Sequence, residues 1–595
     1  MDMRKIILTS VAALICAATF AQGNLNPTVE VTNTYQGDPS AVHKPQIGMS
    51  IPDSLLRFDM DFGYEVFEKP YQGAYNFKPY MLAMKPEKNA YRGRKLYLKA
   101  GAGYSLHPQV DFVFSPEQNG PFQMSVYAGH RSYFGKYNSL TAAPIDGVQE
   151  VTKVPQASFG GYDMLNSVGF EGSYSLPKAI VSFGVGYEGI MAKDTLHGRS
   201  FNAADFNVRV MSNRDDEKYI FYDVALNGRF AGDHVAETLG ESFFNLTGNV
   251  GPVLGVGSAV LVGFEAETAS YSKLFETNAG RLALIPKYHL TMGKLDASVG
   301  VRAEVLVRPK TVSTSSLYPS MYQTNYTSMY QTKGGVIFPD VHVSYGALDN
   351  LLLYVSATGG NKVNTFSSIV SRHHFIYPAM SNTPLLDNSV EKINAKIGLK
   401  ANSGSKLQVE VDGGFALVGN GILDSGLPMY SAGNGPVISY LPSVAYSDYS
   451  LLYADALMDL KTGNLRVDGG IHIRKTTLKY EDVDFGLMFP RVSADFKAVY
   501  DINSRVYAGV RAQVSGGRRG YCGFLLDGTE PLDNAFRQKV KIPGWFDLGL
   551  LGGWQFNRKL GFWLESGNLL CETIQRSPFY SEKDLWITAG ITLNL

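Results

Sequence analysis

The last twelve residues, Asp584 to Leu595, read D-L-W-I-T-A-G-I-T-L-N-L. Leu585, Ile587, Ala589, Ile591, Leu593 and Leu595 share one parity; Trp586, Thr588, Gly590, Thr592 and Asn594 share the other. A period of two is the mark of a strand with one apolar and one polar face. The run is longer than a typical soluble strand needs and suits a tilted strand crossing a bilayer. It reads as the closing strand of an outer-membrane β-barrel.

The same alternation begins at Leu96 and recurs along the chain. Leu98, Ala100, Ala102 and Tyr104 oppose Lys99, Gly101, Gly103 and Ser105; Val181, Phe183, Val185 and Tyr187 oppose Ser182, Gly184, Gly186 and Glu188. Leu295, Ala297, Val299, Val301, Ala303 and Val305 oppose Asp296, Ser298, Gly300, Arg302 and Glu304. Charges keep to one parity in each case. Such segments number about 22, the size class of large outer-membrane transporters. The expected fold is therefore all-β, a transmembrane antiparallel barrel over residues 94–595. Its linkers alternate in length. Those at 175–178, 293–294, 402–406, 462–464 and 557–559 are short, whereas 132–162, 308–334, 361–389, 418–440 and 516–544 are long. Short periplasmic turns and long outer loops produce that asymmetry, which implies the outer membrane of a Gram-negative bacterium and contact with lipid bilayer and lipopolysaccharide.

Average composition hides such a barrel, because only every second strand residue must face lipid. The mean hydropathy is −0.08, yet the chain holds 62 Gly and 35 Tyr, which suit crowded inward positions and interfacial girdles. Charges balance at 54 against 54, so no basic surface for nucleic acid stands out. Residues 1–21 combine a basic start, an apolar run and small residues near Ala21, the pattern of a secretory signal. Ile15 before Cys16 argues against lipidation. Cys522 and Cys571 remain, as a disulfide or as two free thiols.

Residues 22–93 do not alternate. Pro27, Pro39, Pro45, Pro52, Pro70, Pro79 and Pro86 oppose both helix and ladder, so an irregular periplasmic or lumenal segment is expected. Its aromatic bursts, such as Phe62, Tyr64 and Phe67, call for a receiving surface: the lumen, its rim, or a periplasmic or lipoprotein partner. Thr28 to Thr32 could add to a sheet edge.

Leu385-Leu386-Asp387-Asn388-Ser389 with Ala395 to Ala401, and Glu565-Ser566-Gly567-Asn568-Leu569-Leu570 before the closing strand, resemble the barrel signature of TonB-dependent receptors. Leu96 to Tyr104, preceded by the Pro-rich run, resembles a Bacteroidota group described as TonB-dependent receptor-like. The resemblance implies transport of a solute across the outer membrane. Residues 22–93 are too few for the globular plug of such receptors. The alternative is a non-transporting barrel subunit, a scaffold or assembly partner for lipoproteins or an insertion machine.

No catalytic, cofactor-binding or metal-binding residue is assigned, and no enzymatic activity or cofactor is expected. Asp340, His342, Ser344 and Asn350 resemble the constellation of the outer-membrane phospholipase, in which serine attacks an ester and histidine acts as base. That chemistry needs an outward face, whereas Val341, Val343 and Tyr345 hold the apolar parity here. His373-His374 has no metal-ligand spacing beside it and reads as loop surface. Arg518-Arg519 reads as a loop tip or a contact for lipopolysaccharide phosphates. Glu171, Glu188, Glu265, Glu267, Arg302, Glu304 and Lys400 read as a hydrated lumenal network.

Overall fold

The computed structural model describes residues 95–595 apart from 117–119, 195–197, 213–219, 236–237, 256, 308–312, 315–329, 331, 377–384, 405, 431–436, 480–484 and 523–537. The expected signal (1–21) and Pro-rich segment (22–93) lie outside the described residues. Among the described residues there are 26 strands and one short helix. Four short strands, Ser313–Thr314, Gly486–Leu487, Arg518–Cys522 and Gln538–Ile542, belong to connections between longer ones. The other 22 run antiparallel, each paired with the next. The first, Leu96–Tyr104, pairs with the last, Trp586–Asn594, from Tyr97↔Asn594 to Tyr104↔Ile587. The sheet thus closes on itself, and every wall strand finds a ladder on both sides. Closure is what permits a sheet to cross lipid, where an unpaired edge has no water to satisfy it.

The alternation in sequence becomes the two faces of the wall. Val299, Val301 and Val305 are 52%, 49% and 60% exposed on the outside, while Arg302 and Glu304 between them are buried inside. Inward glycines make room for large neighbours: a Cβ on Gly101 would sit 2.5 Å from the ring of Trp563, which also receives the ammonium of Lys99 at 4.4 Å.

The barrel has a turn end and a loop end. Residues 176–178, 293–294, 349–350, 463–464 and 556–559 are tight turns at the first, where Lys95 also donates its N–H to the Leu595 carbonyl at 2.5 Å. The loop end carries the long connections. Two of the linkers expected there are ladder instead. Phe122–Ile145 pairs with Val148–Ser175 around a turn at Asp146 and Gly147, both in the left-handed region, and Leu407–Tyr430 pairs with Val437–Thr462. Strands of 24 to 28 residues far exceed the roughly 9–11 that cross a bilayer. Their loop-end halves therefore stand beyond the apolar band, where outward side chains have no need to be apolar.

Candidate functional site in the barrel lumen

The helix Phe366–Arg372 lies in the connection 364–387 and explains itself locally. The Thr365 hydroxyl accepts from the Ser368 N–H at the helix start, and the chain turns extended at His373. Phe366, Ile369 and Val370 fall at i, i+3 and i+4 and share one face. That face is buried in the lumen. It packs with Ile190, Phe201, Leu239 and Tyr271 of the strands on one side and Ile422 and Val444 of the long hairpin on another. Leu385 and Leu386, at the end of the same connection, are fully buried in this cluster.

Wall residues hold the segment by its polar groups. Arg199 pairs with Asp233 at 3.0 Å and donates to the carbonyls of His374, at 2.6 Å, and Ile376. Glu241 accepts from the Ser367 N–H at 3.1 Å and from its hydroxyl. The Tyr271 hydroxyl accepts from the Phe366 N–H at 3.3 Å. Asp163 meets His374 Nδ1 at 3.0 Å, and Asp424 bridges Arg372 at 3.0 Å and Arg518 at 2.7 Å. A buried backbone carbonyl or charge left unpaired would cost a few kcal/mol; the carbonyls of His374 and Ile376 and the charges of Arg199 and Asp424 are matched here.

The connection 568–585, ahead of the closing strand, folds in as well. Ser581 Oγ donates to the Asn138 carbonyl at 3.0 Å, Gln575 Nε2 to the Val151 carbonyl at 3.4 Å, and Tyr580 donates to Asp194. Lys583 Nζ donates to His107 Nε2 at 2.8 Å, and Arg576 pairs with Asp547. Phe579 holds φ at +72°, a costly conformation for a bulky residue, and its ring stacks on Tyr440 at 4.7 Å. The two connections meet where His373 Nε2 donates to the Pro578 carbonyl at 3.1 Å. Among the described residues, apolar side chains and paired charges of the two connections pack into this end of the lumen.

Towards the turn end the lumen is a polar basin of about 680 Å³, lined by Gln123, Ser125, Glu171, Ser182, Asn207 and Asn227 among others. Its guanidinium, Arg209, is bound to Asp223 at 2.5 Å.

Several sequence expectations are placed differently. His373 is buried in the lumen and His374 largely so, not on a loop surface, because Asp163 and the Pro578 carbonyl supply partners there. Arg518 is buried against Asp424, not at a loop tip. Cys522 is buried, Cys571 is exposed, and both are free thiols. Glu265, Glu267, Arg302 and Glu304 do converge, around an Arg281 that the sequence reading passed over. Arg281 reaches Glu265, Glu267 and Glu304 at 2.8 Å each, and Arg302 reaches Glu265 at 2.8 Å and Glu304 at 2.9 Å. Glu304 and Glu265 are almost fully buried, so this network is largely shielded rather than hydrated. Glu188 pairs with Arg229 at 3.2 Å and Lys400 with Glu410 at 3.0 Å; Glu171 borders the basin.

His342 lies inside the barrel, with Nε2 3.4 Å from Asp340. Tyr345 of the same strand is 48% exposed outside. The geometry needed for attack on a lipid ester is therefore missing, as the parity of the strand indicates. Among the described residues no group of three His, Cys, Asp or Glu side chains is placed to hold a metal.

No protein-family model matches the sequence, and no curated protein matches it. Solved structures do match the fold. The FrpB iron transporter from Neisseria meningitidis (F3-3 variant) aligns with a TM-score of 0.56 and 8% identity, over 85% of this chain and 82% of that one. The siderophore receptor PirA from Acinetobacter baumannii gives 0.54 and 9% identity, over 84% and 80%. FpvA from P. aeruginosa, bound to a heterologous pyoverdine, gives 0.56 and 11% identity, over 84% and 72%. The chain thus shares its closed, 22-stranded barrel fold with these iron-transporter and siderophore-receptor structures.

Proposed function

We propose that this chain is an outer-membrane β-barrel, TonB-dependent receptor-like, that takes part in moving a small solute across the outer membrane. The observation carrying this reading is the barrel itself: closed, 22-stranded and alike in fold to receptors and a transporter over more than four-fifths of its length. In this reading the loop end faces outward, towards lipopolysaccharide, and the turn end faces the periplasm. Residues 1–21 are a cleaved signal, and 22–93 form a periplasmic or lumenal segment too short for a globular plug, as in the Bacteroidota group that the sequence resembles. The two inward connections make the barrel a closed receptor rather than an open porin, so passage requires their displacement. The protein is not an enzyme in this reading; its inward histidines serve packing and hydrogen bonding.

Two measurements test it. Tags in the Asp146–Gly147 turn should be labelled from outside intact cells, and a tag at Gly463 should not; the reverse pattern would overturn the orientation. Cells with and without the protein should differ in depletion of at least one solute from a defined medium.

A second reading is a non-transporting subunit that holds lipoproteins or other barrels at the outer membrane. The buried core across the loop end favours it, since Ile369, Val370 and Leu385 have no exposure at all. Unchanged solute depletion, together with stoichiometric co-purification of other envelope proteins from detergent extracts, would select this reading.

A further inference from the structure

His130-Arg131-Ser132 repeats the spacing of His342 and Ser344, but here the wall turns the pair outward. In the ladder of Phe122–Ile145 with Val148–Ser175, His130 lies opposite Asn166, Ala128 opposite Val168 and Val126 opposite Phe170. Residues two apart on a strand share a face, and so do residues paired across it. Val168 is 50% exposed on the lipid side, as is its partner Tyr187 in the next strand at 43%. His130, Ser132 and Asn166 therefore belong to the outer surface of the barrel.

There the three side chains form a hydrogen-bonded chain. His130 Nδ1 lies 2.7 Å from Asn166 Oδ1, and His130 Nε2 lies 2.9 Å from Ser132 Oγ. A carbonyl oxygen only accepts, so Nδ1 carries the proton and Nε2 turns a lone pair to the serine hydroxyl. That is a nucleophile held on a base, with the base held by a third group. Asn166 holds it without bringing a charge to a lipid-facing wall. Ser132 is buried and its two partners are half-buried, so water competes little for these bonds.

The depth of the triad points to its substrate. Nine residues separate Asn166 from Ser175, where its strand reaches the turn end, and about that number crosses the apolar band. Beyond the triad stand Phe134 and Tyr162, whose rings lie 5.9 Å apart, as suits an interfacial girdle. The triad thus sits at the loop-end boundary of the hydrocarbon, the depth of the ester bonds that join acyl chains to headgroups. Polar side chains at lipid-facing positions are costly and mark functional sites.

We infer that Ser132, His130 and Asn166 form a hydrolytic site for the acyl esters of membrane lipids. Ser132 Oγ attacks the ester carbonyl carbon while its proton passes to His130 Nε2. The bond from that carbon to the alcohol oxygen breaks, and the leaving alcohol takes the proton from Nε2. Water then attacks the acyl-serine and passes a proton to Nε2; the bond to Oγ breaks, Oγ takes that proton back, and the fatty acid leaves. Ester and water are the only reactants. Asn166 touches neither and acts as a positioning residue, fixing the tautomer and direction of the imidazole. The activity is additional to transport or a subunit role, because it depends only on the face of the wall these residues occupy.

The test uses the full-length protein reconstituted in vesicles. An alkyl fluorophosphonate, which bonds to activated serines, should modify the parent protein at Ser132. The label should be lost in His130→Ala and kept in Ser344→Ala. Fatty acid release is then followed from vesicles of ester-linked phosphatidylethanolamine and from ether-linked phospholipid carrying lipid A. Release from the first assigns phospholipid esters, and release from the second assigns those of the acylated glycolipid. Ser132→Ala should lower the rate by about 1000-fold or more. Asn166→Asp sets a carboxylate on Nδ1–H and favours the imidazolium, so the acid limb of the rate should move to higher pH; an unmoved limb would overturn the role of Asn166. No label at Ser132 in the parent, release from neither ester, or release that survives Ser132→Ala in a variant with the heat-resistant folded band would overturn the inference.

Discussion

Phe375 and Tyr580 stack face to face, with ring centroids 4.3 Å apart and planes inclined by 10°. One ring comes from the connection after the strand Leu351–Val363, the other from the connection before the closing strand Trp586–Asn594. Their contact is the junction of the two segments that fill the loop end, and His373 lies edge-on to both rings. A stacked pair contributes about 0.5–1.5 kcal/mol beyond its buried area. That is small against the many bonds tying each segment to its own part of the wall. Between the two segments themselves the junction rests on this stack and on the His373–Pro578 hydrogen bond.

Tyr580→Ala removes the stack and the hydrogen bond to Asp194 while leaving the barrel ladder intact. The variant should keep its heat-resistant folded band yet conduct more current in planar bilayers than the parent protein. Phe375→Ala should act in the same direction. Parent-like conductance in the double variant would mean that the junction does not control the closure.

Acid should loosen the same junction. His373 donates from Nε2 to the Pro578 carbonyl and accepts at Nδ1 from the Phe375 N–H at 3.2 Å, which fixes it as a neutral tautomer. Burial lowers its pKa from 6.5 to about 4, although the Pro578 hydrogen bond works against that shift. Between those values the unfolded state binds more protons than the folded one. The contribution is therefore present above pH 6.5 and lost as pH falls towards 4, by up to about 3 kcal/mol. Burial also opposes the charged form of His374, but Asp163 raises its pKa overall, so that residue favours the folded state on acidification. Conductance should rise from neutral pH to pH 5. His373→Gln should flatten the response and His374→Gln should steepen it.

The strand period announces the wall because lipid imposes it: outward residues must be apolar at each crossing, and Val299, Val301 and Val305 obey. The loop end is less legible because lipid does not act there. In 132–162, Pro144, Pro155, Gly160 and Gly161 break the apolar alternation, so the segment reads as a linker although its backbone continues a ladder. The closure is harder still to read. Arg199 and Glu241 look like any inward charge on an alternating strand, and the groups they hold in the inward connection lie more than a hundred residues away in sequence. One local signal was available: Thr365 ahead of Phe366, Ile369 and Val370 is a helix start with an apolar face. A short apolar helix in a barrel connection has few places to bury that face except the lumen.

The shielded charge network should matter more than its exposed counterpart. Glu304 accepts from Arg281 and Arg302, and from both the backbone and side-chain nitrogens of Asn361 at 2.6 Å. Removing one partner of a buried ion pair strands the others at a cost of about 3–5 kcal/mol. Glu304→Ala should therefore lower the temperature at which the folded band is lost. Glu188→Ala, whose pair with Arg229 is about a quarter exposed, should cost less than about 1 kcal/mol. Equal effects would mean that the Glu304 network is not shielded in the membrane.

The face assignment can be tested within one strand, Leu295–Val307. Val299 points outward and is 52% exposed, while its neighbour Ser298 points inward, opposite His289 and His342 in the ladders on either side. An arginine on the lipid face costs about 2–4 kcal/mol near the bilayer midplane, because its charge has neither water nor a partner there. The same side chain in the lumen finds water and carboxylates, and its long stem can lie along the wall. Val299→Arg should thus reduce the yield of folded protein refolded into lipid vesicles, and Ser298→Arg should leave it near the parent level. Equal yields would mean that Val299 does not face the hydrocarbon. A larger loss at Ser298 would invert the faces of this strand and, through its paired neighbours, the faces of the wall.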